Sequence, residues 1–482
     1  MHYLFIIRLI AFLLLFLAGG MFLPLLVSIY YGDTSTKAFF YSILIIFITS
    51  LFLILLTLKD HGNHLNHRDG ALIVTIGWMM AGLAGTLPYL FSGVIPDFSN
   101  AYFESISGFT TTGSSILNQI EGLPPGILLW RSITQWMGGM GIIVLSIAIL
   151  PYLGIGGMQL YKAEIPSPIV DKLKPRISET AKILWKIYLF FTLFEAALLI
   201  FAGMTVFDAF CHAFSTMPTG GFSTKNASLA HYDSALMDGI IIIFMLIAGI
   251  NFSLHYKLIK GNIKSVGKDL ELKLFLIIVL AFTLIITLNI YGPLYSSFSR
   301  ALRDAFFQVS SLITTTGFIS ADYEKWPALS QMILVLCMFL GGMAGSTGGG
   351  IKIIRIILLI KHGYNEIFHV IHPHAVTVVK LGKNVVPQDV LMSIWGFFIL
   401  YLLLFFIASL LMAFIGLDLV SAFSAVASCL GNIGPGLGLV GPVSNFHEVP
   451  VAGKWILVFC MLLGRLEIYT VIITLIPEFW RK

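Results

Sequence analysis

The chain has 482 residues, of which 57% are hydrophobic and only 11% charged, with a formal net charge of +5. Soluble domains average about 25% charged residues, and a water-facing surface cannot be covered with so few. A soluble enzyme, a nucleic-acid binder and a disordered chain are excluded; the composition is that of an all-α polytopic membrane protein, with lipid as its solvent.

A bilayer core about 30 Å thick needs about 20 apolar residues per helix. In chain order, apolar runs near 3–30, 38–58, 71–93, 125–152, 183–206, 235–259, 271–291, 328–360, 390–416 and 452–476 predict about ten spans. The first has an early Arg8, no A-x-A cleavage site and more apolar length than a signal peptide, so it reads as a retained membrane helix. The longest connections, 153–182 and 361–389, carry Pro, Gly and charge rather than the apolar content of a soluble domain. With the N-terminus inside, eighteen Lys and Arg fall in inside loops against seven outside, a positive-inside bias. The outside segments hold Asp97, Glu104, Glu121, Asp233, Asp322 and Glu324, which read either as an acidic vestibule that concentrates cations or as ordinary polar loops.

Four segments do not fit plain helix–loop–helix topology. They lie at 101–115, 208–223, 304–320 and 421–438, after the third, fifth, seventh and ninth spans. Each starts with about ten amphipathic residues, too few to span, and breaks at a Thr-, Asn- or Pro-rich turn ending in glycine. The aligned glycines are Gly113, Gly220, Gly317 and Gly434, spaced by 107, 97 and 117 residues, which is an internal repeat. Irregular backbone at membrane depth survives only where it is buried or lines a water-filled path. A short helix that enters and turns back leaves its last carbonyls without helical partners, and glycine lets them turn toward a common axis. Four such turns around one axis make a ring of oxygens that can replace the hydration shell of a monovalent cation, and the negative ends of the short helices favour a cation there. No charged side chain lies in the turns, so carbonyls and threonine hydroxyls are the available ligands. That suits K⁺ better than Ca²⁺ or Mg²⁺.

The motifs TTTG at 110–113, PTGG at 218–221, TTTG at 314–317 and GNIGPG at 431–436 resemble those of the Trk/Ktr/HKT superfamily of potassium transporters, and the two extra N-terminal spans resemble its bacterial TrkH/TrkG type. The resemblance implies four fused helix–pore-helix–helix repeats around a central pore. The repeats would occupy 70–160, 161–260, 261–362 and 363–482, behind two extra transmembrane helices in 1–69. It implies a K⁺-binding filter of Thr111, Thr112, Gly113, Thr219, Gly220, Thr315, Thr316, Gly317, Asn432, Ile433 and Gly434. In that family glycine in the first filter accompanies K⁺ selectivity and serine accompanies Na⁺ transport; here the residue is Gly113. The fourth turn departs from the Thr-rich pattern, with Asn432 and Ile433 before its glycine.

Inside the eighth run, Gly341 to Gly350 carries too many glycines for a helix and at that depth must face a cavity. A phosphate-binding loop is excluded because Ile351 stands where its lysine is needed; close packing through small residues stays open. The resemblance makes this stretch an intramembrane gate under the filter, with Gly345, Ser346, Thr347, Gly348 and Gly349 at its centre. Arg465, inside the last run, is costly unless it faces a polar cavity or partner. Glu467 lies about 200° around the helix from it. Arg465 therefore reads as facing the axis below the turns, where it repels cations or holds the Gly-rich carbonyls. Glu195, in the fifth run, reads as a structural partner.

His61, His64 and His67, and His369, His372 and His374, read as solvated loop residues rather than metal ligands. Cys211, Cys337, Cys429 and Cys460 are too scattered for a zinc site or a disulfide framework. No catalytic constellation appears, so the chain reads as no enzyme and as needing no organic cofactor. The reading is gated, channel-like K⁺ uptake, with a secondary symporter coupling K⁺ to H⁺ or Na⁺ as the alternative; symport needs more buried titratable groups than this chain has. The resemblance further implies a multi-pass protein of the bacterial inner membrane, a homodimer, and a cytosolic TrkA-type nucleotide-binding ring as regulator. The basic loops at 162–186, 257–273 and 361–383 offer either a docking surface for that ring or contact with anionic lipid. No nucleic-acid partner is implied.

Overall fold

Lipid offers the backbone no hydrogen-bond partner, and helices solve this segment by segment. The computed structural model describes residues 2–58, 66–141, 177–375, 377–382 and 384–481, and within them the regular secondary structure is helical apart from a two-residue hairpin, Lys380–Leu381 against Asn384–Val385. Among the described residues six helices are long and apolar enough to cross a membrane: Tyr3–Tyr31, Thr36–Thr57, Arg68–Ser92, Glu179–Phe201, Leu270–Ile290 and Gln388–Phe414. The first two pack on each other and on the third. That third helix opens with a capping box, in which the Asn66 amide donates to the Asp69 carboxylate at 3.1 Å. Phe201 and Phe414, at the ends of their helices, stand 87% and 89% exposed.

Of the remaining apolar runs, two bend where their sequence predicts unbroken spans, and the run 328–360 is broken at the glycines, as its sequence predicts. Ala235–Gly249 and Phe252–Ile259 meet at 102°, and Val451–Arg465 and Ile468–Leu475 at 119°. At the first break the Asn251 side chain accepts from the Ser253 amide at 2.8 Å and starts a new helix. At the second, Glu467 has φ +57°, which no α-helix accommodates. The run 328–360 divides into Ala328–Phe339 and Ile353–Ile371 around an irregular excursion. Of the run 125–152, helix Pro125–Trp136 and a wider π turn at Met137–Gly141 are described; its remainder and most of the loop after it lie outside the described residues.

Four short helices are inserted between these elements: Phe98–Phe109, Val206–Thr216, Phe298–Ile313 and Leu419–Gly431. At 12, 11, 16 and 13 residues they cannot span. Asp97, Thr205 and Asp418 cap three of them by accepting a backbone N–H three residues on. Each packs between the helix before it and the helix after it. The chain thus repeats helix, half-helix, helix four times, and the half-helices carry the candidate site at their C-terminal ends.

Candidate functional site

All four half-helices end in one hydrogen-bond pattern. The amides of Thr111 and Thr112 donate to the carbonyls of Gly108 and Ser107, those of Thr219 and Gly220 to Thr216 and Ser215, those of Thr315 and Thr316 to Leu312 and Ser311, and those of Asn432 and Ile433 to Cys429 and Ser428, at 2.8–3.3 Å. This is the paired closure of a helix that ends on a left-handed residue, a position that normally prefers glycine. Here it is held by Thr111, Thr219, Thr315 and Asn432, at φ +55°, +59°, +60° and +55°. A β-branched residue in that region is strained by about 1–3 kcal/mol, and three such outliers at equivalent places mark a site where backbone direction matters more than stability.

Two residues further on, the backbone turns left-handed again at Gly113, Gly221, Gly317 and Gly434. The second-repeat equivalent is therefore Gly221 and not Gly220, a correction to the sequence register; two adjacent glycines cannot be told apart without φ. Gly220 instead matches Thr112, Thr316 and Ile433. These eight residues close on one another. A Cβ added at Gly113 would lie 2.1 Å from the Gly220 carbonyl oxygen, at Gly221 2.0 Å from that of Thr316, at Gly317 1.8 Å from that of Ile433, and at Gly434 2.9 Å from that of Thr112. The four turns thus form a closed ring in the order one, two, three, four. The four glycines floor an open basin on one side of the ring.

The threonine hydroxyls, expected as ligands, are mostly engaged with protein. Thr112 Oγ1 pairs with Thr110 Oγ1 at 2.7 Å and accepts from Asn432 Nδ2 at 2.9 Å; Thr316 Oγ1 pairs with Thr314 Oγ1 at 2.8 Å. Thr315 Oγ1 accepts from the Gly349 amide at 2.7 Å, and Thr219 Oγ1 donates to the Pro218 carbonyl at 2.5 Å. The Thr111 hydroxyl is buried without a partner.

Each half-helix also braces the strand that rises from its own glycine. Glu104 accepts from the Ile116 amide at 3.0 Å; Gln308, in the amide orientation that satisfies both its oxygen and its nitrogen, accepts from the Ser320 amide at 2.7 Å; the Ser424 hydroxyl accepts from the Leu437 amide at 2.9 Å; and His212 Nε2 bonds Ser223 Oγ at 3.0 Å. In the first quadrant the brace is an ion pair. Arg131 Nε donates to Glu104 at 2.9 Å, Nη1 to the Ser223 carbonyl at 3.1 Å and Nη2 to Ser115 Oγ at 3.3 Å, and the guanidinium lies 4.2 Å from the centre of the Phe222 ring. Glu104 and Arg131 are 0% and 1% exposed, so Glu104 is no part of an open acidic vestibule. One helical turn after Arg131, Gln135 donates to the Gly220 carbonyl at 2.6 Å and accepts from the Phe222 amide at 3.1 Å.

Directly beneath the ring runs the irregular stretch between Leu340 and Ile351, which bridge to each other at its base. Gly345 accepts from the Phe252 amide at 3.0 Å, and Ser346 Oγ donates to the Met343 carbonyl at 2.6 Å. Thr347 Oγ1 bonds the carbonyls of Met217 and Ala248 at 3.0 and 3.1 Å. Gly348 accepts from Lys352 Nζ, and a Cβ at Gly349 would lie 2.5 Å from the Gly431 carbonyl. The stretch therefore seats against the ends of the second, third and fourth half-helices. Arg465 ties it to the first quadrant: Nη1 donates to the Thr347 carbonyl at 2.8 Å, and Nη2 to those of Gly138 and Gly139 at 2.7 Å each. Gly138 in turn abuts Phe109, at the end of the first half-helix. Of the two roles the sequence left open for Arg465, holding carbonyls is the one with geometry behind it.

Three further charges surround the stretch that the sequence left without a role. Glu271 accepts from the amides of Ala344 and Ile354 at 2.8 and 3.0 Å and so closes its base. Arg355 pairs with Glu467 and stacks over Phe397 at 3.9 Å. Lys352 is 1% exposed. A charge within an apolar run was the available signal for each. Glu195 is fully buried. Among the described residues no three His, Cys, Asp or Glu side chains cluster as metal ligands; His369 bonds Thr377 at 2.6 Å, and His61 and His64 lie outside the described residues.

The chain is similar in sequence and in fold to known proteins. The family model TrkH, described as cation transport protein, matches residues 35–482. The chain is 44% identical over 487 residues to the Trk system potassium uptake protein TrkH of Salmonella typhimurium, covering 100% of both chains, and 36% identical to the Trk system potassium uptake protein TrkG of Escherichia coli, covering 95% of each. The crystal structure of the potassium transporter TrkH from Vibrio parahaemolyticus superposes with a TM-score of 0.89 at 40% identity, covering 100% of both chains.

Proposed function

The chain belongs to the TrkH family of cation transport proteins, and on that premise we propose that it takes up K⁺ across the bacterial inner membrane through one pore on the axis of the four-turn ring. The ring closure carries the reading: four backbone oxygens, of Thr112, Gly220, Thr316 and Ile433, lie against the glycines of the neighbouring turns, where any side chain would meet them. Such oxygens can stand in for the water shell of a weakly hydrated cation. The filter comprises Thr111, Thr112, Gly113, Thr219, Gly220, Gly221, Thr315, Thr316, Gly317, Asn432, Ile433 and Gly434, on four repeats at 70–160, 161–260, 261–362 and 363–482. Gly345, Ser346, Thr347, Gly348, Gly349 and Arg465 form the gate. The Gly-rich stretch occupies the exit below the ring, and Arg465 and Lys352 hold its carbonyls with charged donors, which make stronger bonds than neutral ones. A homodimer regulated by a cytosolic TrkA-type nucleotide-binding ring completes the assembly.

The test is uptake of K⁺, Rb⁺ and Na⁺ in a K⁺-transport-deficient bacterial cell, with and without the regulator. Selective K⁺ uptake that rises with the regulator is expected; equal uptake of Na⁺ would sink the filter. Coupled symport with H⁺ or Na⁺ is the alternative, for which the fully buried Glu195 offers a titratable site. Currents reversing at the K⁺ equilibrium potential exclude it.

A further inference from the structure

Of the four ring oxygens, one hangs on a glycine, Gly220; the others belong to Thr112, Thr316 and Ile433. A glycine peptide turns more freely than any other, and Gly220 has no side chain to wedge it in place. Gln135 occupies that room. A Cβ added at Gly220 would lie 2.4, 2.6 and 2.8 Å from the amide carbon, oxygen and nitrogen of Gln135, which are its three nearest neighbours. The same amide clamps the backbone at two points, donating to the Gly220 carbonyl at 2.6 Å and accepting from the Phe222 amide at 3.1 Å. Its side chain is 0% exposed, so no water competes for either bond.

We propose that Gln135 is a specificity-determining residue of the ring: its amide fixes the direction of the Gly220 oxygen and draws density from it. The inference rests on the pore reading above. A carbonyl oxygen has two lone pairs; one receives the Gln135 N–H and the other is left for an ion. An oxygen that is held still and partly drawn on by a donor binds a small, strongly hydrated ion less well relative to a larger one. The second quadrant thereby contributes to preference for K⁺ over Na⁺ through a residue outside the filter motifs. Gly220 and Gln135 are complementary, the one lacking the side chain whose place the other fills.

Initial rates of K⁺ and Na⁺ uptake, with membrane abundance measured in parallel, test this on the full chain. Gln135→Leu keeps most of the volume and loses both bonds; the K⁺/Na⁺ ratio is expected to fall about tenfold, the equivalent of about 1.4 kcal/mol. Gly220→Thr alone drives a side chain into Gln135 and should abolish selective uptake. Gly220→Thr with Gln135→Ala gives the second quadrant the residue of the first and third and should restore selective uptake. An unchanged ratio in well-expressed Gln135→Leu, or a selective Gly220→Thr with Gln135 intact, overturns the proposal. If Gln135→Leu does not reach the membrane, the Gly220→Thr pair decides. A wild-type chain without selective K⁺ uptake would instead overturn the pore reading itself.

Discussion

Replacing Arg465 by alanine removes three charge-assisted hydrogen bonds, to the carbonyls of Thr347, Gly138 and Gly139 at 2.8, 2.7 and 2.7 Å. The bond to Thr347 is the one that ties the Gly-rich stretch to the last helix. A hydrogen bond from a charged donor contributes about 1.5–3 kcal/mol, so its loss shifts the balance between closed and open stretch by roughly 10- to 150-fold. The bonds of Thr347 Oγ1 to Met217 and Ala248, and of Lys352 to Gly348, remain, which puts the expected rise in regulator-free K⁺ leak at the lower end of that range, about tenfold. Arg465→Lys keeps the charge but not the fork that spans two elements, and should leak by an intermediate amount. The assay is K⁺ flux without the regulator, normalised to membrane abundance. A well-expressed Arg465→Ala chain with wild-type flux would refute both the gate and the role of this side chain in it.

Gly113→Ser places a Cβ 2.1 Å from the Gly220 oxygen at a residue with φ +83°, so K⁺-over-Na⁺ discrimination should collapse; an unchanged permeability ratio would remove Gly113 from the ring. Arg131→Ala strands the buried Glu104 carboxylate and should cost about 3–5 kcal/mol of stability, read as a lower unfolding midpoint in detergent, with the double variant Arg131→Leu, Glu104→Leu costing less than Arg131→Ala. His212→Gln installs the residue that braces the third quadrant and should keep selective uptake, whereas His212→Leu fills the same space without the bond to Ser223 and should lose it; equal behaviour of the two would reduce His212 to packing. Deleting Gly345–Gly349 should raise basal flux, and wild-type flux from a folded deletion would leave the stretch a packing element.

The four half-helices and their turns were legible because each combines a run too short to span with a Thr, Asn or Pro turn ending in glycine, and chance does not repeat that four times. The exact register was not. In PTGG the sequence offers two glycines, and only the left-handed φ of Gly221 shows that Gly220 supplies the carbonyl instead. The bends were hidden because hydropathy averages over them: Asn251 and Glu467 are each one of a few polar residues inside a long apolar run, and each is the residue at which its helix breaks. Glu104 read as a vestibule or loop charge because its partner, Arg131, is distant in sequence; burial and pairing are properties of the fold. Gln135 carried no signal beyond being one polar residue in an apolar run. Arg465 was legible because an arginine at such depth demands a partner, although the identity of that partner, three carbonyls on two elements, was not.

The two bends and the split run share one level of the molecule. The carbonyl of Gly249, at the first bend, accepts from the Met343 amide at 2.9 Å, the Phe252 amide beyond that bend reaches Gly345, and Arg465, at the second bend, reaches Thr347. A horizontal fault therefore crosses the protein just under the ring, where three apolar runs change direction together. Above it, braces and paired closures lock the turns to their own half-helices; below it, Phe252–Ile259 and Ile468–Leu475 are separate struts joined through two-residue bends, and Ile353–Ile371 is joined through the Gly-rich stretch. On the proposed pore reading, torque on the lower struts is taken up at the fault before it reaches the oxygens. On that reading the build separates two quantities that a continuous helix would link: how freely ions pass and which ions are chosen. Mutations on either side of the fault should accordingly act independently, changing conductance or selectivity but seldom both.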